Sequence, residues 1–65
     1  MYLHREIEHA GYPGSIEDIR PLARQLCAIE IFNIEAIMAI GTEVLKDLDI
    51  NVQLRSFLLN RLFGR

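Results

Sequence analysis

Asn51-Val52-Gln53-Leu54-Arg55-Ser56-Phe57-Leu58-Leu59-Asn60-Arg61-Leu62-Phe63 is the stretch that decides the fold. Leu54, Phe57, Leu58, Leu59, Leu62 and Phe63 fall within ten residues, and their spacings of three and four suit a helix. After the Asn51 cap, only Gln53, Arg55, Ser56, Asn60 and Arg61 are polar, so more than half of this helix's circumference is apolar. A helix apolar on two sides sits inside a bundle or between two subunits. Residues 51–63 are therefore read as helix C, with Asp47, Asp49 and Asn51 ending the preceding helix and supplying its cap.

Working back from there, Ile34, Ile37, Met38, Gly41, Val44, Leu45 and Leu48 form a heptad-like series, which makes residues 34–48 helix B with Asn33 as its cap. Gly41 is its weak point, costing about 1 kcal/mol against alanine inside a helix. It marks either close approach of another backbone or a break, with Thr42 opening a second short helix. Residues 15–32 hold helix A, whose stripe is Ile16, Ile19, Leu22, Ala23, Leu26 and Cys27. Ser15 caps it, Glu17 and Asp18 complement its dipole, and Pro21 predicts a bend. From Ala28 to Ile34 the period slips: Ile29, Ile31 and Phe32 leave the stripe, which predicts a helix end and a corner. Gly11-Tyr12-Pro13-Gly14 is the strongest turn signal in the chain, and residues 1–14 are read as a terminal turn or short helix.

The chain is 65 residues long and 51% apolar, yet a domain of that size hides only about 60% of its unfolded surface. One domain is the expectation. Small cores are commonly helped by disulfides, metals or association. Cys27 is the only cysteine, which rules out a disulfide within one chain. The net charge of −2 gives no general drive toward nucleic acid or anionic membrane. The longest apolar run, residues 36–40, falls far short of the roughly 20 needed for a membrane span. With no secretory signal at the start and a lone cysteine, a cytoplasmic protein is expected.

Chemistry-bearing patterns are weak throughout. Asp47, Asp49 and Asn51 open like a calcium loop, but Val52 and Leu58 occupy the positions that need glycine and glutamate. His4 and Glu8 lie one helical turn apart while His9 points elsewhere, a poor metal site, and Cys27 belongs on a buried stripe. The glycines, at 11, 14, 41 and 64, form no phosphate loop, and no nucleophile pattern is present. The reading is non-enzymatic, with no metal and no cofactor.

Charge is more informative. Residues 30–49 hold Glu30, Glu35, Glu43, Asp47 and Asp49 against Lys46, whereas Arg55, Arg61 and Arg65 follow with no acid. An acidic helix B beside a basic helix C is self-complementary within a chain or across a two-fold axis. The basic end also permits a helix-turn-helix reading, with Gln53, Arg55 and Arg61 as nucleic-acid contacts of a dimer.

Residues 43–50, Glu43-Val44-Leu45-Lys46-Asp47-Leu48-Asp49-Ile50, followed by Arg55-Ser56-Phe57-Leu58-Leu59, are similar to the end of a sterile alpha motif domain. The likeness covers roughly a third of the chain. Asp49 departs from that family's small turn residue, the expected aromatic after helix A is missing, and the family's central helices are too short or missing. The resemblance implies a self-associating interaction module.

Together these readings give an all-α protein, a small three- to four-helix bundle completed by oligomerisation. Its expected function is protein–protein association, as a homodimer or with a larger protein, through Val44, Leu48, Leu54, Phe57, Leu58, Leu62 and Phe63. The alternative is a dimeric helix-turn-helix DNA-binding regulator. No membrane partner is expected.

Overall fold

The computed structural model describes residues 2–64, which contain five helices and no strand: α1 (Leu3–His9), α2 (Ile16–Cys27), α3 (Ile34–Ile40), α4 (Thr42–Asp47) and α5 (Val52–Phe63). The protein is all-α. Three of the helix starts are set by side-chain caps. Ser15 accepts from the Glu17 N–H, Asn33 from Ala36, and Asn51 from both Gln53 and Leu54. Each satisfies a backbone donor that the first turn would otherwise leave open.

Two boundaries differ from the sequence reading. Helix A stops at Cys27 instead of reaching residue 32, because the chain turns left-handed at Glu30 (φ 61°). The Ile31 N–H then bonds the Leu26 carbonyl at 2.9 Å and the Glu30 N–H bonds that of Cys27 at 3.0 Å, closing a Schellman end. Helix B is two helices, α3 and α4. Gly41 takes φ 89°, a conformation that side chains rarely adopt, and serves as the junction. The break re-aims the series, so that Ile37 and Leu45 are buried while Met38 is left exposed. Pro21 lies inside an α2 that runs on through it.

Among the described residues, eight side chains are fully enclosed: Ile7, Ile19, Leu22, Leu26, Ile37, Leu45, Leu54 and Leu58. Helix α1 packs on α2 and α3, and α5 packs on α3 and α4. The first fourteen residues contribute more than their sequence suggests, since Leu3, Ile7 and Tyr12 all join the core. Tyr12 seats its ring edge-on to Phe57 at 5.3 Å. Its hydroxyl donates to Asp18 Oδ2 at 2.8 Å. Burial first, then the hydrogen bond and the charge of Asp18, push the Tyr12 hydroxyl up to about 12. Gly14 lies directly against this ring, where an added Cβ would sit 2.6 Å from it.

Polar side chains then join the layers. Gln25 pairs with the Asp49 backbone in both directions, donating to its carbonyl and accepting from its N–H, each at 2.9 Å. Glu6 Oε1 accepts from the Ile34 N–H at 3.1 Å and so covers the start of α3. The radius of gyration, 10.3 Å, is close to the roughly 11 Å expected of a folded chain this long.

Candidate functional site

The apolar excess that helix C advertises is largely absorbed inside the chain. Leu54 and Leu58 have no exposed surface, which removes them from any outer interface. They are core residues because α3 and α4 pack on α5. Val44, Leu48, Phe57, Leu62 and Phe63 are half-buried and packed against the same core. The face of α5 is therefore not the open apolar surface that its sequence suggests.

Nor does the nucleic-acid set converge. Gln53 and Arg61 are exposed, but Arg55 is committed elsewhere. Its guanidinium donates to the Leu45 carbonyl at 3.2 Å and to that of Leu48 at 2.7 Å, closing the end of α4. A side chain held this way stabilises the α4–α5 corner and is not free to reach a base. Cys27, expected in the core, is exposed, because it is the last residue of α2 and the stripe ends with it.

Open apolar surface lies elsewhere. Among the described residues, the exposed large hydrophobic side chains are Tyr2 (73%), Ile29 (52%), Phe32 (56%), Met38 (49%) and Val52 (71%). Four of these five belong to the start of α1, the connection after α2, and α3; only Val52 stands on α5. Two recesses open in the same region. One, of about 340 Å³, lies between α1 and α2 and is lined by Tyr2, Leu3, Ala23, Arg24, Cys27 and Phe32 among others. The other, of about 490 Å³, lies between α1 and α3 and is formed by Glu6, His9, Ile34, Glu35 and Met38. At the edge of the first, Tyr2 stacks on His4 with ring centroids 5.7 Å apart.

The two recesses differ in charge. Arg24 borders the first and Glu35 the second, both exposed, and neither forms an ion pair among the described residues. The ion pairs that do form, Arg20 with Glu17 and Lys46 with Glu43, are exposed neighbours on single helices and add little to stability. No group of three or more His, Cys, Asp or Glu side chains is placed to hold a metal ion among the described residues. No described helix is long and apolar enough to cross a membrane.

Sequence reading missed Tyr2, Ile29, Phe32 and Met38. A signal existed for two of them. Ile29 and Phe32 are two of the three residues that leave the stripe of helix A where the period slips; the third, Ile31, packs against the core, and these two are left exposed. Met38 carried no such signal, because it fits the helix B series and loses its place only through the turn at Gly41.

No protein-family model, curated protein or solved structure matches the chain. The likeness of residues 43–50 and 55–59 to the end of a sterile alpha motif domain stands on those residues alone.

Proposed function

We propose that this chain is a non-enzymatic protein–protein interaction module that associates with its own kind, through the corner made by α1, the end of α2 and residues 28–38. One observation carries the reading: of the five large exposed apolar side chains among the described residues, Tyr2 and Phe32 line one recess beside α1 and Met38 lines the other, with Ile29 three positions before Phe32 in the chain. Apolar residues scattered singly over a surface need no explanation, whereas a gathered set marks an interaction site. The resemblance of the α4–α5 segment to a self-associating module supports the same class. The exposed thiol of Cys27 suits a reducing compartment such as the cytoplasm.

The corner replaces the helix C face as the proposed contact surface. Light scattering after size exclusion, over a wide range of protein concentration, tests it. The expected result is a dimer mass that falls toward the monomer on dilution. Phe32→Asp should give a folded monomer, since that side chain is more than half exposed and supports no core contact. Val52→Asp, on the opposite element, should leave the dimer intact. A wild-type chain that is monomeric at every concentration overturns the proposal.

A further inference from the structure

The two recesses both adjoin α1 and residues 31–35, and opposite charges border them, Arg24 at one and Glu6 and Glu35 at the other. The α1–α2 recess has Arg24 at its edge and two protruding aromatics, Tyr2 and Phe32. The α1–α3 recess is lined by the apolar Ile34 and Met38 together with Glu6, Glu35 and His9. Glu6 is already engaged with the Ile34 N–H, which leaves Glu35 as the open carboxylate. Helix α1 and residues 31–34 lie between the two. One side is thus cationic with apolar side chains standing out, and the other is anionic with apolar lining residues. The chain displays both halves of a contact next to each other.

We infer that a second copy of this chain docks on this face about a two-fold axis, with Arg24 of each copy facing Glu35 of the other. The inference rests on the self-association proposed above and specifies its geometry. Adjacency is what selects a closed dimer. An isologous contact requires two complementary regions close enough that both reciprocal pairs form at once. Complementary patches on opposite sides of a molecule would instead build an open chain. In the closed arrangement Phe32 of one copy meets Ile34 and Met38 of the other, and the second Phe32 does the same in return. A specific interface needs about 600 Å² from each partner. That is roughly a seventh of the 4251 Å² surface of this chain. A contact at this lower limit is concentration-dependent, and its choice of partner is set by charge.

Charge reversal with mixing tests the pairing. Arg24→Glu and Glu35→Arg each place like charges opposite one another twice in a homodimer. Each variant alone should dissociate at least about tenfold more readily than wild type. Mixed in equal amounts, they should recover a heterodimer, because both pairs are then Glu against Arg or Arg against Glu. The double variant in one chain should dimerise with itself. Circular dichroism of each variant establishes that it is folded, and the neutral Arg24→Gln and Glu35→Gln should fall between wild type and reversal. A dimer that Phe32→Asp abolishes but that the reversals leave unchanged overturns this pairing while sparing self-association. A mass that climbs past two chains with concentration overturns the two-fold geometry. A wild-type chain that stays monomeric overturns both.

Discussion

Glu30 is the residue where replacement by glycine should stabilise this protein, and the sign of the effect tests the end of helix α2. Glu30 sits at φ 61° and holds the two hydrogen bonds that close the helix, from its own N–H to Cys27 and from Ile31 to Leu26. A left-handed residue with a side chain costs about 1–2 kcal/mol, and glycine removes that strain. Glycine also loosens the unfolded chain, which returns about 0.5–1 kcal/mol. The net backbone gain is about 0.5–1 kcal/mol. A second term comes from charge. The carboxylate lies at the negative end of the α2 dipole, where an exposed like charge costs about 0.3 kcal/mol.

Glu30→Gln isolates the charge term and Glu30→Gly adds the backbone term. Urea unfolding followed by far-ultraviolet circular dichroism should place Gln about 0.3 kcal/mol above wild type. Gly should stand about 1 kcal/mol above it. In a chain this short, 1 kcal/mol corresponds to about 4–8 °C in melting temperature. The measurement belongs at a concentration low enough for monomer, because Glu30 borders the proposed contact. Had helix A run on to residue 32, glycine at position 30 would lie in a helix interior and destabilise by about 1 kcal/mol. A Gly variant less stable than the Gln variant would therefore refute the left-handed end and restore the longer helix.

Three further expectations concern the joints between layers. Tyr12→Phe removes the hydroxyl that bonds Asp18 and should cost about 1–2 kcal/mol at neutral pH. In wild type the folded chain keeps the Tyr12 proton up to about 12. The unfolded chain releases it near its ordinary value of about 10, so the stabilisation is complete below that pH and is lost as pH rises toward 12. With solvent screening at the Asp18 end this amounts to about 1 kcal/mol, and urea melts across alkaline pH should show a shallower decline in Tyr12→Phe. Gly14→Ala drives a Cβ to 2.6 Å from the Tyr12 ring and should destabilise by about 1–2 kcal/mol. The same change in a Tyr12→Leu background should cost much less, which a double-mutant cycle will read. Gln25→Ala loses both bonds to Asp49 and should cost about 1 kcal/mol, while Gln25→Glu should be worse because it sets a carboxylate oxygen against the Asp49 carbonyl.

The helices were legible where a local rule was sufficient. Ser15, Asn33 and Asn51 cap the helices that their side-chain chemistry announces. Gly41 stood out as a choice between close packing and a break, and nothing local could decide it, because the answer depends on where Ile37 of α3 and Leu45 of α4 find the core. What the sequence hid was long-range. Leu54 and Leu58 looked like surplus because the cover comes from α3 and α4, and no local rule shows that the break at Gly41 folds both of them onto α5. Leu3, Ile7 and Tyr12 form no long stripe, yet each finds a core position, and Tyr12 does so only because Gly14 leaves room for its ring. Once these three are counted, the apolar excess of helix C is largely accounted for within the chain. The side chains left over are then those that periodicity could not place, Ile29 and Phe32 above all. Residues that break a pattern proved more informative about surface than residues that repeat it, since a repeat shows which side chains one helix can bury together, and a departure from it leaves an apolar group needing another partner.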